Sequence, residues 1–160
     1  MREENRSAAP LILSAALPSA LQSAADRLRP AGRAAHAPAH LSLFRHLPGA
    51  ERAVLLREAR QLMAETAAPV ATLLPPVQRE RRWLAPVAAP ELDVLREAFA
   101  RRWHGLLAPG DIAPPRLHIS LSDAAPSAPF PPGPWRLPGL LLWQYGEACW
   151  TPLVALRFRR

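Results

Sequence analysis

Apolar residues come in short runs along this chain, and the spacing within each run predicts a strand or an amphipathic helix. PLILSAALP, at residues 10–18, is almost continuously apolar and predicts a first strand. Pro18 and Ser19 then begin a predicted helix that ends near Arg29, before Pro30. The next run, AHLSLFRHL, predicts a second strand. The chain therefore starts as strand, helix and strand.

Two further helices and a hairpin are predicted from the middle of the chain. AERAVLLREARQLMAET, residues 50–66, has its apolar positions on one helical stripe, as has ELDVLREAFARRWHGLL, residues 91–107. Between them, residues 69–77 and 83–88 are short and apolar and are separated by the charged QRERR. They predict a hairpin whose prolines should confine both strands to edges or ends of a sheet.

The second predicted strand carries polar residues on one of its faces. Because successive side chains in a strand alternate between faces, its leucines should form the core face. The opposite face is then predicted to carry His40, Ser42, Phe44 and His46. A lone histidine on a half-buried strand is usually an ordinary polar residue facing water.

A second copy of the pattern changes that interpretation. PRLHISLSD, residues 115–123, follows a predicted helix and has its apolar residues on one face. His118 and Ser120 share the other face, in the same register as His40 and Ser42. The tripeptide His-x-Ser is common by itself, but its recurrence in the same strand context favours a paired site.

The composition bounds the class of protein. With 160 residues, 49% of them hydrophobic, the chain can build a single domain with a substantial core. Its net charge is +7 and all 20 basic residues are arginine, which favours polyanionic partners such as RNA, DNA or nucleotides. Cys149 is the single cysteine, so an intramolecular disulfide and a cysteine-based zinc site are both excluded.

The N-terminal region bears on the location of the protein. Its apolar run follows Arg2 and Arg6 and imitates a secretory signal, but Pro18 interrupts it and a helical pattern follows, which favours a structural role. A membrane span would need about 18 or more continuous apolar residues, and the sequence has no such stretch. Together with the reducing compartment that a single cysteine fits, this predicts a cytoplasmic protein without a membrane anchor.

The two motifs resemble the signature of a known superfamily. HLSL at residues 40–43 and HISL at residues 118–121 are similar to the His-x-Thr/Ser motifs of the two-histidine phosphoesterases, each on a strand and followed by an aliphatic residue. Within that superfamily the chain resembles the bacterial 2′-5′ RNA ligase family and RNA cyclic phosphodiesterases. The order of elements, including a closing strand pair in LLLWQYGEACWTPLVALRFRR, matches over nearly all of residues 10–160.

The resemblance implies a fold and a domain organisation. It predicts an α+β, bilobal fold with two antiparallel sheets related by a pseudo-twofold, and a central cleft lined by one motif strand from each lobe. Residues 1–9 are then a flexible N-terminal segment and residues 10–160 a single domain. The protein is expected to be a monomer.

The resemblance also implies a chemistry that needs neither a metal nor a cofactor. Two histidines can serve as general acid and general base in opening a 2′,3′-cyclic phosphate, because their ordinary pKa lies near 6.5. By analogy with the family, His40 is expected to be the acid and His118 the base. The hydroxyls of Ser42 and Ser120 are expected to bind the phosphate oxygens. Run backward, the same pair joins a cyclic phosphate end to a 5′-hydroxyl, so the expected partners are RNA ends or nucleotide cyclic phosphates.

Several other residues have two interpretations each. Phe44 either stacks on a nucleobase or packs at the edge of the cleft. Arg116, two residues before the second motif histidine, either pairs with phosphate or is an ordinary solvated arginine. Arg45 has the parity of the core face, so its side chain is expected to reach out to the lobe surface. The aromatic residues near the C-terminus are interpreted as core of the closing sheet, in preference to a platform on which bases stack. These residues are Trp135, Trp143, Tyr145 and Trp150.

Two departures from the family pattern affect the functional prediction. SDAAPSAPFPPGPW, after the second motif, is too rich in proline for the helix that the family commonly has there. Both motifs use serine where threonine is commoner, which keeps the hydroxyl but removes the methyl group that stiffens its rotamer. Besides the enzyme, two alternatives therefore stay open: a noncatalytic protein that binds RNA ends or nucleotides, and a basic structural domain whose histidines are incidental.

Overall fold

A computed structural model describes residues 8–29, 37–127, 131, 133–146 and 149–160. The strands are β1 Leu11–Ala15, β2 Leu41–Leu47, β3 Val70–Leu73, β4 Val77–Arg79, β5 Arg82–Ala88, β6 His118–Ser120, β7 Trp135–Arg136, β8 Gly139–Tyr145 and β9 Trp150–Arg157. The α-helices are α1 Ser19–Arg27, α2 Arg52–Glu65, α3 Pro90–Arg102 and the short α4 Pro109–Ile112. Two 3-10 turns, Gly49–Glu51 and His104–Leu106, precede α2 and follow α3. This α+β organisation confirms the predicted fold class.

The first sheet brings both ends of the chain together. Its four strands are ordered β2-β1-β8-β9, and each neighbouring pair is antiparallel. Every residue of β1 is buried, because this strand is paired on both edges and covered on both faces. The pairing of β8 with β9 confirms the predicted closing strands.

The second sheet is built around β5. This strand pairs with β6 on one edge and with β3 and β4 on the other, and β7 adds to the far edge of β3. Pro75 and Pro76 separate β3 from β4, so the two form one interrupted arm of the predicted hairpin.

The prediction that the prolines keep both hairpin strands at edges or ends is wrong for β5, which contains Pro86 in its interior. The carbonyl of Pro86 accepts a hydrogen bond from the Leu74 N–H at 2.8 Å. In an antiparallel strand the nitrogen and the carbonyl of one residue point to the same edge, so the Pro86 nitrogen also points toward the β3–β4 arm. The missing N–H of Pro86 therefore falls where Pro75 and Pro76 already interrupt the opposing strand.

The helices bury the apolar stripes that the sequence predicts. Leu55, Ala59 and Met63 of α2 are buried, and so are the apolar Leu92, Leu95 and Phe99 of α3. Trp103, just past α3, is 1% exposed; its ring stacks on Phe99 and its Nε1 donates to Glu58 at 2.8 Å.

The motif strands occupy the edges at which the two sheets meet. β2 is the outer strand of the first sheet, and β6 is an outer strand of the second. The two strands approach each other directly. The predicted arrangement, one motif strand from each lobe, is therefore present.

Three predicted features concern the segments around this domain. Of the predicted flexible segment 1–9, residues 1–7 lie outside the described residues, and Ala9 packs closely on Gly49, where a side chain would collide with its carbonyl. In the proline-rich segment after β6, the described residues 121–127, 131 and 133–134 form no helix, as expected. Among all described residues, no helix is both long and apolar enough to cross a membrane.

Candidate active site

A cleft of two adjoining compartments lies between β2 and β6. The His40 compartment has a volume of about 390 Å³ and is lined by His40, Ser120 and Trp150, among others. The His118 compartment, of about 310 Å³, is lined by His118. Ser42 lines both compartments. The structure thus brings the predicted histidines and serines to one cleft, with the histidines on its two sides.

Both histidine rings are held in the same way. Nδ1 of His40 lies 2.7 Å from the carbonyl oxygen of Pro38, and Nδ1 of His118 lies 2.8 Å from that of Arg116. A carbonyl can only accept a hydrogen bond, so Nδ1 carries the proton in each ring. Nε2 is left as the nitrogen that can exchange a proton with a ligand. The identical bond to the residue two positions earlier extends the repeat from the sequence to the side-chain geometry.

His40 lies in surroundings that disfavour its charged form. The pKa of His40 is lowered to about 4, chiefly by burial and also by the positive charges of Arg29 and Arg45 and by nearby His118, against the hydrogen bond to Pro38 that raises it. The His40 ring also contacts the Trp150 ring, with 4.4 Å between centroids. At neutral pH the His40 imidazole is therefore uncharged in the free protein.

Arg29 ties the two lobes together beside the cleft. Its Nη1 donates to the backbone carbonyl of Ser120 in β6 at 2.9 Å, and its Nη2 donates to the carbonyl of Ala37 at 3.0 Å. Because Ala37 leads into the first motif, one guanidinium bridges the segments that carry both motifs. The half-buried hydroxyl of Ser120 faces the His40 compartment on this side.

The predicted face of Phe44 is wrong, because β2 is bulged. Ser14 pairs with Ser42 but Leu13 pairs with Phe44, so the register shifts between these positions. A bulge breaks the alternation of faces, and it turns Phe44 into the core. The Phe44 ring is 0% exposed and packs edge-on against Trp103, with 5.4 Å between centroids. A ring so buried cannot stack on a base.

The same bulge corrects the prediction for Arg45. Its parity indicated the core side and a side chain that reaches away to the lobe surface. Arg45 instead lines both compartments, next to Ser42. A cation therefore stands at the centre of the cleft, where the sequence pattern alone could not assign one.

Asp111 of α4 holds the bulge. Its carboxylate accepts the backbone N–H groups of Arg45 at 2.9 Å and of His46 at 2.8 Å. Asp111 is 4% exposed and Arg96, also buried, donates to its backbone carbonyl and lies 4.4 Å from the centroid of the Phe44 ring. The local sequence PGD gave no signal of this contact, since its partners lie far away along the chain.

The C-terminal aromatic residues divide between core and cleft. Trp143 is buried and its Nε1 donates to Ser14 Oγ at 2.9 Å, and Trp135 packs against the core, as predicted for both. Tyr145 and Trp150 form a cross-strand pair between β8 and β9 and line the His40 compartment. The core interpretation is wrong for this pair, which forms an aromatic wall beside His40.

The other polar residues considered lie in the cleft, on the surface or outside the described residues. The exposed Arg116 lines the His118 compartment. His104 is exposed after α3, and His36 lies outside the described residues. Within the ranges that the structure describes, no three His, Cys, Asp or Glu side chains form a group that could hold a metal ion.

Comparisons with known proteins find a likeness of fold. No protein-family model and no curated protein sequence matches the chain. Among solved structures, E. coli LigT complexed with phosphate has a TM-score of 0.60 at 17% identity, covering 96% of this chain and 99% of that one. A structure described only as a phosphoesterase has a TM-score of 0.58 at 21% identity, covering 95% of this chain and 99% of that one. The protein TT0787 of Thermus thermophilus has a TM-score of 0.56 at 23% identity, covering 94% and 98%.

Proposed function

We propose that this chain, which has the two-histidine phosphoesterase fold of LigT over nearly its whole length, is a metal-independent phosphoesterase or ligase for 2′,3′-cyclic phosphates. Its substrates are RNA ends or nucleotides that carry such a phosphate. The observation that carries the proposal is the matched pair of histidines. Each is held by a hydrogen bond from Nδ1 to the carbonyl two residues earlier, and the two flank one cleft that contains Ser42 and Arg45.

The reaction divides into two proton transfers around one phosphorus. A base takes a proton from water as the water oxygen bonds to phosphorus, and an acid gives a proton to the ribose oxygen as its bond to phosphorus breaks. Ser42 and Ser120 are proposed to donate hydrogen bonds to the non-bridging oxygens, and Arg45 to balance the charge that grows there. In ligation, a 5′-hydroxyl takes the place of water in the same ring-opening step, and the product is a ligated strand. The structures of LigT complexed with phosphate and with 3′-AMP support a phosphate or a nucleotide as the ligand of this chain.

The roles of the two histidines are proposed from their protonation. Since His40 is uncharged at neutral pH, it is ready to act as the base of hydrolysis, and His118 then supplies the proton to the departing ribose oxygen. This reverses the assignment expected from the family resemblance. The physical reason is the burial of His40 between Trp150 and the arginines of its compartment.

The pH dependence of kcat/KM tests this assignment. A lowered pKa keeps His40 neutral down to about pH 4. If His40 is the base, kcat/KM should therefore decrease on acidification only near that pH. If His40 were the acid, kcat/KM would instead fall as the pH rises above about 4. The measurement is kcat/KM between about pH 3.5 and about pH 8, together with an NMR titration of the His40 ring. An NMR value near the ordinary 6.5 would contradict the electrostatic argument.

Turnover in the presence of a chelator tests the function itself. The substrate is an oligoribonucleotide that ends in a 2′,3′-cyclic phosphate, with EDTA in excess, and the product is a phosphomonoester end. We expect turnover that EDTA does not diminish. Loss of turnover in EDTA would contradict the metal-independent mechanism. Binding of the same RNA without any turnover would instead favour the alternative, a noncatalytic protein that binds RNA ends or nucleotides.

A further inference from the structure

The turn of the β4–β5 hairpin reaches both compartments of the cleft. Arg79 and Arg82 pair across the turn, so their side chains lie on the same face of the hairpin. Arg82 lines the His40 compartment and Arg79 lines the His118 compartment. Glu80, between them, has a φ of 55°, and this left-handed residue allows the tight turn that brings the two arginines together. The charged QRERR stretch is therefore part of the cleft wall.

The two compartments differ in character. Trp150 and Tyr145 line the first compartment beside His40, together with Arg29 and Arg82. The second is lined by Arg45, Arg79 and Arg116. Its wall also includes Asp111, but that carboxylate already accepts the backbone N–H groups of the β2 bulge. Both compartments are therefore basic, and the His118 compartment differs in that it lacks the aromatic wall.

The His118 compartment holds more positive charge than the reactive phosphate requires. A 2′,3′-cyclic phosphate carries a single negative charge, and Ser42 and Arg45 already stand between the two histidines to receive it. Arg79 and Arg116 are additional cations, both exposed and both on the His118 side. The planar guanidinium group of arginine donates paired hydrogen bonds with the geometry of phosphate oxygens. Two additional guanidinium groups in one compartment therefore point to a second phosphate.

We propose that the His118 compartment binds the phosphodiester on the 5′ side of the terminal nucleotide, through Arg79 and Arg116. The inference rests on the proposed function, because that function fixes the reactive phosphate between the histidines. It implies that the preferred substrate is an oligonucleotide end, since a mononucleotide cyclic phosphate has no second phosphate. The hairpin turn then acts as a clamp on the strand that carries the reactive group.

Paired substrates test the clamp. The variants are Arg79→Ala and Arg116→Ala, and the matched control is Arg81→Ala, an exposed arginine of the same turn that lines neither compartment. The substrates are a mononucleotide 2′,3′-cyclic phosphate and a dinucleotide with the same end. For the dinucleotide, each variant should raise KM by about tenfold with kcat unchanged, because a contact with a remote phosphate is made equally in ground and transition states. For the mononucleotide, neither variant should change KM or kcat.

The salt dependence provides a second test of the same interaction. Removal of one arginine–phosphate interaction with a single strand should reduce the slope of log KM against log salt by about 0.7. Arg79→Lys, which keeps the charge, should recover most of the wild-type slope, and Arg81→Ala should leave it unchanged. An equal loss on both substrates would assign Arg79 to the reactive phosphate and overturn the inference, as would no loss on either.

Binding measurements separate this inference from the proposed function. The probes are a dinucleotide and a mononucleotide that both end in a 3′-phosphate, which cannot react further. One outcome is that the wild-type protein shows no turnover while Arg79→Ala still weakens binding of the dinucleotide about tenfold more than binding of the mononucleotide. That result would support the second phosphate site even though the proposed activity is absent. Equal affinities of wild type and variant for the dinucleotide overturn the clamp, whatever the turnover.

Discussion

Replacement of His40 or His118 by alanine is expected to reduce kcat on a 2′,3′-cyclic phosphate by about a thousandfold or more, since each variant loses one proton transfer. Either loss stops the same step, so the double variant should be little worse than the single ones. The measurement is single-turnover hydrolysis of a cyclic-phosphate oligonucleotide with EDTA present. His104→Ala is the control, because this histidine is exposed and lies outside the cleft.

The two histidine variants also need a check on folding, because their surroundings differ. His40 donates to Pro38 and contacts Trp150, so a truncated side chain leaves a gap beside β2. His40→Asn keeps an amide N–H in reach of the Pro38 carbonyl but provides no imidazole. If His40→Asn unfolds at the wild-type temperature and is as slow as His40→Ala, the loss is catalytic. Activity within about tenfold of wild type in either variant would contradict the two-histidine mechanism.

The sequence predicts the strands of the cleft well because their burial pattern is regular. The alternation in PRLHISLSD describes β6 correctly, with Leu117, Ile119 and Leu121 buried and His118 and Ser120 facing the cleft. The same alternation describes β2 only as far as Leu43. Beyond that point the bulge turns Phe44 inward and Arg45 toward the cleft, whereas His46 and Leu47 keep their predicted cleft and core sides.

The bulge itself could not be predicted from the residues around it. It depends on Asp111, which lies far along the chain and reaches β2 only in the folded structure. The aromatic wall has a similar origin: Tyr145 and Trp150 lie at the open end of the β8–β9 hairpin, where a strand leaves the core and reaches the cleft. Local pattern determines which residues form a strand, while long-range contacts decide where an irregular strand points its side chains.

Asp111 also gives the second large expected effect, on stability. In Asp111→Ala, the N–H groups of Arg45 and His46 lose their acceptor, and the buried Arg96 loses a neighbouring negative charge. A hydrogen bond to a charged group contributes about 1.5–3 kcal/mol to the free energy of unfolding, so the loss of this carboxylate should cost about 3 kcal/mol. Urea unfolding measures this loss. Asp123→Ala, which removes an exposed carboxylate, is the control and should change the free energy of unfolding by less than about 0.5 kcal/mol.

Asp111→Asn separates the position of the bulge from the stability of the fold. The amide keeps one oxygen to accept an N–H of the bulge but cannot offer the charge that faces Arg96, so an intermediate loss of stability is expected. Because the bulge directs Arg45 into the cleft, kcat should fall in both variants even at temperatures where each is fully folded.

The decisive comparison is kcat of folded Asp111→Ala with kcat of Arg45→Ala. If Asp111 acts by positioning Arg45, the double variant Asp111→Ala, Arg45→Ala should be no slower than Arg45→Ala alone. Fully additive losses would mean that Asp111 affects catalysis by another route, such as the stability of β2 as a whole.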